Sequence, residues 1–314
     1  MVKLWIANTD NEWFDFLSSK PSIDEVNFWQ PSGDRTFRAL QRGEFLVFRL
    51  KAPRNAIGGF GIFDRASTLP ISTAWEAFGD KNGAPNLSSL RTQISGYRQE
   101  LLSRTDYAIV CRILLQPIFL PESEWFRLPP SWPATGAQSG KTYSTDNSEG
   151  RALWQKVMAL RDWSLPDLIA ESSDDRATPR YGEPVLIKPR LGQGAFRVAV
   201  IDAYGRQCAV SGGRVLPALE AAHIKPFGEG GEHEVANGLL LRRDIHRVFD
   251  AGYVTIDPDL RFVVSERVKT DFNNGEEYRR LHGRTLIVPK DHRLWPSAAA
   301  LDWHNRNAFL DSIA

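Results

Sequence analysis

Three polar residues at fixed spacing constrain this chain more than any other feature. His223, Asn237 and His246 stand in the pattern His-x13-Asn-x8-His within LEAAHIKPFGEGGEHEVANGLLLRRDIHRVFD, residues 219–250. The first His ends a short apolar run from Leu216 to Ile224, the Asn follows a Gly-rich loop, and the second His lies in a segment that reads as a helix. The layout is therefore strand, loop, strand-like turn and helix. A lone His usually serves structure or the surface, but here all six histidines follow residue 222 and two of them hold patterned positions.

The rest of the chain sets bounds. At 314 residues it is long enough for two domains that each bury a core. Its 42% hydrophobic and 25% charged residues are ordinary for a globular protein. The net charge of +1, with no strongly basic segment, does not by itself point to nucleic acid. A nucleic-acid-binding protein of this composition must gather its cations on one face. Cys111 and Cys208 lie far apart with no CxxC pair, which supports neither a zinc ribbon nor a disulfide framework, and the expected compartment is the reducing cytoplasm. The opening MVKLWIANTDNEW lacks a signal-peptide apolar core and no apolar run approaches membrane-spanning length, so no membrane partner is expected.

Read in order, the expected fold class is α+β. Residues 1–120 form a mixed domain: strands at Val2–Ala7, Phe45–Leu50, Ile57–Phe63 and Tyr107–Leu115, with helices at Glu12–Leu17, Ile71–Phe78 and Leu87–Leu101. Irregular interleaving suits a small curved sheet or open barrel with flanking helices. Residues 121–184 read as a Pro-rich wrap, a helix over Glu149–Arg161 and an acidic linker. On that helix Leu153, Trp154, Val157 and Leu160 make an apolar stripe that reads as a docking surface. Residues 185–314 carry the His-Asn-His stretch, preceded by a helix over Phe196–Tyr204 and followed by a hairpin (Tyr253–Ile256, Arg261–Val264) and helices at Glu276–Leu281 and Ser297–Ile313. GQGAF, residues 192–196, is not a phosphate loop, for it lacks a preceding strand and the Lys-Ser/Thr pair.

The AHIKP, NGLLL and DIHRVFD blocks resemble, in order, the HNH endonucleases, whose site is a ββα-metal finger. The resemblance implies a C-terminal HNH nuclease domain with His223 as general base and His246 as ligand to a divalent metal, Mg2+ or Mn2+. Asn237 would orient the base or pin the loop. Asp244 would reach the ion directly or hold a metal-bound water, and Lys225, His233, Arg242 and Arg243 are candidate DNA contacts. The chemistry is coherent: a neutral His removes a water proton near neutral pH, while a cation polarises the phosphate. One position departs from the pattern. Many relatives carry Asp or His directly before the base, where this chain has Ala222, and Glu220 is then a further candidate ligand. His282, His292 and His304 fall outside the pattern and read as structural, with His304 expected to pack near the finger.

The blocks VNFWQPSG (26–33), GEFLVFRL (43–50), IGGFGIF (57–63) and AWEAFGDKNG (74–83) resemble the amino-terminal half of restriction endonucleases that pair a PUA-like module, of the SRA and EVE types, with an HNH domain. That resemblance implies an N-terminal PUA-like reader. A base taken from the stack needs aromatic faces and hydrogen-bonding edges, which Asn27, Phe28, Trp29 and Trp75 supply, although such aromatics are commonly core. The expected protein is a metal-dependent endonuclease that restricts DNA carrying modified cytosines, with a possible homodimer to cut both strands. Two rivals are an HNH nuclease acting on unmodified DNA or RNA, and a non-catalytic nucleic-acid-binding protein.

Overall fold

The computed structural model describes residues 1–31, 37–97, 106–133, 140–164, 186 and 191–311. The chain divides into two compact units, Met1–Arg190 and Leu191–Ala314.

The first unit is built on a mixed six-stranded sheet. Its strands are β1 (Lys3–Thr9), β2 (Glu25–Gln30), β3 (Phe45–Leu50), β4 (Ile57–Pro70), β5 (Ala108–Phe119) and β6 (Gly140–Ser144), in the spatial order β2-β5-β4-β3-β1-β6. β1 runs parallel to β3, and every other pairing is antiparallel. The register of β4 on β5 slips between Phe60 and Ile62 and again between Phe63 and Arg65. Such bulges bend a strand and increase its twist, so the long β4 curves the sheet, which stays open with β2 and β6 at its edges. Asp10 starts α1 (Asn11–Ser18) by accepting hydrogen bonds from the amides of Glu12 and Trp13 at 2.9 and 3.1 Å. That places Trp13, Phe14 and Leu17 in the core. α2 (Ile71–Phe78) and α3 (Leu87–Ser95) follow β4.

Two pieces of this unit differ from the expected layout. VNFWQ, read from sequence only as part of an aromatic block, is the edge strand β2, paired with β5 from Glu25 to Gln30. The chain also does not leave the unit at residue 120. β6 pairs with β1, and the apolar stripe of α4 (Ser148–Ser164), Leu153, Trp154, Val157 and Leu160, packs against Val2, Leu4, Ile6, Phe45 and Ile57. The stripe docks, as its spacing indicates, but onto the sheet's own core. The second linker, 171–184, lies outside the described residues.

The second unit wraps α5 (Gln193–Ala203) around a two-stranded sheet, β7 (Leu219–His223) against β8 (Gly238–Arg242), which runs directly into α6 (Arg243–Asp250). Strand, loop, strand and helix is thus the observed order. The hairpin β9 (Val254–Ile256) and β10 (Phe262–Val264) and the helices α7 (Arg267–Phe272), α8 (Glu276–Arg279) and α9 (Ala298–Asn307) complete the unit. His304 on α9 is buried and stacks on Phe249 of α6, ring centroids 3.8 Å apart, so it supports the finger helix from behind. This matches its expected place near the finger.

Candidate active site

The end of β7 presents His223 opposite Gly238, the first residue of β8. A Cβ at 238 would lie 3.0 Å from the Phe196 ring and 2.6 Å from Val200, so the glycine leaves room for α5 to close in. Phe196 uses that room to stack on the His223 imidazole, with centroids 4.1 Å apart and planes 15° from parallel. His223 is pushed down to about 4, first by burial and then by His233 and His246, against the opposing pull of Asp250. The ring is therefore neutral at pH 7, the form a general base requires.

Asn237 holds the loop between the strands. Its Nδ2 donates to the carbonyls of Lys225 and Glu232 at 2.9 and 3.0 Å, and its Oδ1 accepts the Lys225 amide at 2.9 Å. One buried carboxamide thus ties down both ends of the Lys225–Glu232 segment. The loop is tight enough that a Cβ at Gly231 would meet the Lys225 carbonyl at 1.9 Å. His233 follows, its Nδ1 lying 3.0 Å from Nε2 of His223.

On α6, His246 sits between two carboxylates. Glu220 Oε2 lies 2.8 Å from its Nδ1 and Asp250 Oδ2 lies 3.2 Å from its Nε2. Burial acts to lower the His246 pKa, but the hydrogen bonds and charges of Asp250 and Glu220 outweigh it and raise the pKa. Asp250 follows from helical geometry, since a residue four positions on shares the face of His246. Glu220 stands two residues before Ala222, on the same side of β7 by strand alternation, and so brings a carboxylate to the side where Ala222 lacks one. Asp244 is elsewhere: it takes hydrogen bonds from Arg242 Nε at 3.0 Å and Nη2 at 2.5 Å, an arrangement that lowers its pKa. Two positions along a helix is a rotation of about 200°, which turns Asp244 away from His246.

Among the described residues no set of three or more His, Cys, Asp or Glu side chains is arranged to hold a metal ion. The donors at His246 nonetheless fit one held by two protein ligands. Glu220 can take the Nδ1–H and fix the tautomer, leaving the Nε2 lone pair beside Asp250. A magnesium-like ion characteristically uses one or two carboxylates and fills its remaining positions with water and phosphate oxygens.

The candidate phosphate contacts each have a different partner. Arg243 Nε pairs with Glu220 Oε1 at 3.2 Å, Arg242 is engaged by Asp244, and the Lys225 ammonium lies 5.9 Å from the centroid of the Trp303 ring. His233 lies against the candidate base.

In the first unit a cavity of about 250 Å3 is lined by Trp13, Phe28, Trp29 and Tyr97 among aromatic residues, and by Gln30 and Arg112 among polar ones. Phe28 and Trp29 are therefore at a pocket, whereas Asn27 and Trp75 are not among its lining residues. Asn27 is fully buried and donates to Asn82 Oδ1 at 2.8 Å, a core contact. The Trp29 indole donates to the Asn82 carbonyl at 2.9 Å, which sets its ring plane. Arg112 is 5% exposed, with its guanidinium 4.8 Å from the Trp5 ring and 4.6 Å from the Phe37 ring, and it donates to Gln30 Oε1. Sequence reasoning missed Arg112 and Gln30. They pair across neighbouring strands, and only strand register brings them together.

A neutral imidazole beside a second one bracketed by carboxylates is equipment for hydrolysis by a general base with an assisting cation. Residues 208–257 match the family model described as HNH endonuclease. The second unit thus carries an HNH endonuclease domain over those residues. A search of curated proteins finds no match. Among solved structures, the chain is similar to an ASCH protein from Zymomonas mobilis, at 14% identity over 50% of this chain and 94% of that one, with a TM-score of 0.32. It is also similar to the modification-dependent TagI restriction endonuclease, at 13% identity over 93% of this chain and 78% of that one, with a TM-score of 0.29.

Proposed function

We propose that the chain is a divalent-metal-dependent DNA endonuclease that restricts DNA containing modified cytosines. The observation that carries the hydrolytic half is the finger itself, which joins a half-buried, neutral His223 to a His246 bracketed by Glu220 and Asp250. His223 takes a proton from water, the hydroxide oxygen attacks phosphorus in line as the bond to the 3′ oxygen breaks, and the departing 3′ oxygen takes a proton from solvent. The products carry a 5′-phosphate and a 3′-hydroxyl, as the family resemblance implies. His246 and Asp250 would hold the ion, Mg2+ or Mn2+, which when bound supplies Lewis-acid polarisation of the phosphate. Glu220 orients His246, and Asn237 holds the loop in shape around the base. Lys225, Arg242 and Arg243 would contact the phosphate backbone.

The reader half rests on the first unit's pocket. Its volume of about 250 Å3 is below the roughly 300–1,000 Å3 usual for drug-sized ligands, a size that suits a single base. Phe28, Trp29 and Tyr97 offer aromatic faces, and the Gln30 amide, held by Arg112, offers an edge to read. One finger cuts one strand, so double-strand cleavage calls for two copies or successive nicks. No helix among the described residues is long and apolar enough to cross a membrane. Cys111 and Cys208 are buried thiols, as suits the cytoplasm. The test is cleavage of plasmids that are unmodified, 5-methylated or 5-hydroxymethylated at cytosine, with Mg2+ or Mn2+. Cutting confined to modified plasmid supports the reading, and equal cutting of all three removes the reader.

A further inference from the structure

His233 is a candidate DNA contact by sequence, yet its half-buried ring lies directly against that of His223. Its Nδ1 lies 3.0 Å from Nε2 of His223, within hydrogen-bonding range. Each ring is also held on a face. Phe196 stacks on His223 at 4.1 Å, and Phe227 stacks on His233 at 4.5 Å with planes 5° apart. The three Asn237 hydrogen bonds and the close approach of Gly231 to the Lys225 carbonyl fix the loop just ahead of His233. The pair is thus clamped from both sides.

We propose that His233 is a positioning residue for the base: it accepts the Nε2–H of His223, selects that tautomer, and leaves the Nδ1 lone pair of His223 to take the proton from water. The argument is one of proton count. A neutral imidazole carries one N–H and one lone pair. If His223 Nε2 accepted from His233 instead, its own proton would sit on Nδ1 and its lone pair would be used, leaving no nitrogen to act as a base. Among the described residues, Nδ1 of His223 has no hydrogen-bond partner, so it is the nitrogen left for water. When that nitrogen gains the proton, the imidazolium keeps its Nε2–H pointed at the His233 lone pair, so the charged form stays hydrogen-bonded. This is the logic of a base oriented by a third group, with a side-chain imidazole as the orienting group. The consequence for catalysis rests on the nuclease reading, whereas the tautomer does not.

The test therefore has two readouts. Long-range proton–nitrogen correlation spectra of the uniformly 15N-labelled full chain at pH 7 should show His223 protonated at Nε2 and bare at Nδ1. In His233→Ala that preference should collapse to a mixture. His233→Asn, whose Oδ1 falls where Nδ1 was, should restore it. On the plasmid that the wild type cuts best, His233→Ala should lower kcat about 10- to 100-fold, the usual effect of losing an orienting partner, with KM within about twofold and partial recovery in His233→Asn. A His223 proton on Nδ1 in the wild type overturns the proposal. So does an unchanged tautomer in His233→Ala, or a variant that raises KM and spares kcat, which would make His233 a DNA contact. If the wild type cuts no DNA, the nuclease reading fails, and the spectra still decide the pairing.

Discussion

Asn237 gives the most sharply bounded prediction. Its carboxamide makes three hydrogen bonds, two to Lys225 and one to Glu232, from a side chain in a residue only 7% exposed. A net hydrogen bond contributes about 1 kcal/mol, so Asn237→Ala should raise the free energy of the closed loop by about 3 kcal/mol, which is roughly a hundredfold in the local opening constant. The Lys225 amide reports this directly, because Asn237 Oδ1 is its acceptor. Its hydrogen exchange should speed up by that factor, while amides in β1 and β5 are unaffected. Asn237→Asp should be at least as damaging at neutral pH, for a carboxylate keeps the Lys225 amide but faces two carbonyls with no proton to donate. Burial and those carbonyls raise the pKa of the introduced carboxyl in the folded state. The sign is then fixed: loop stability is present at low pH and is lost as pH rises through that raised pKa. Less than tenfold faster exchange at Lys225 in Asn237→Ala would refute the view that this residue pins the loop.

Three further outcomes follow from the same geometry. Asp250→Asn should reduce metal-supported cleavage by roughly a hundredfold, the scale of losing a group at a metal site, whereas Asp244→Asn should change it by less than about threefold; titrating Mg2+ or Mn2+ in a cleavage assay separates the two. Because His223 is pushed down to about 4 by burial and neighbouring histidines, it stays neutral as pH falls from 7 toward that value. At saturating divalent ion, kcat should hold to about pH 5 and fall only below it, and a limb near the unperturbed value of about 6.5 would contradict this. At the first unit's pocket, Tyr97→Ala should weaken binding of a modified duplex by about 5- to 100-fold, one stacking contact's worth. Unfolding of that unit should change little, since Tyr97 is 48% exposed; fluorescence anisotropy measures the first and a urea titration the second.

The finger was legible in the sequence because its determinants are local. Strand, loop and helix follow one another within residues 219–250, and His223, Asn237 and His246 hold the positions that this order demands. The partners of His246 were harder to see. Asp244 drew attention by nearness along the chain, yet helical rotation hands it to Arg242, while Asp250, four residues on, shares the face of His246. Glu220 is found by counting in twos along β7. The His223–His233 pairing needs the path of the loop, which no periodicity encodes.

The first unit was less readable, for reasons of range. Asn27 has the chemistry of a base-reading amide, but Asn82, 55 residues away, takes it into the core. Trp75 lies on α2, away from the pocket that Phe28 and Trp29 line. β6 is the short polar run Gly140–Ser144, an edge strand whose partner β1 lies at the other end of the unit, so local propensity gave little sign of it. The stripe on α4 was clear as a stripe, but spacing names a face and not the surface that covers it.

One experiment tests the central claim most directly. A duplex containing 5-hydroxymethylcytosine, labelled at both ends, is incubated with wild type and with His223→Ala in Mg2+ or Mn2+, and the ends of any products are determined. The account predicts breaks with 5′-phosphate and 3′-hydroxyl ends in the wild type, none on the unmodified duplex, and loss of cutting in His223→Ala. Equal cutting by His223→Ala, or no cutting by the wild type with either ion on any modified duplex, would contradict it.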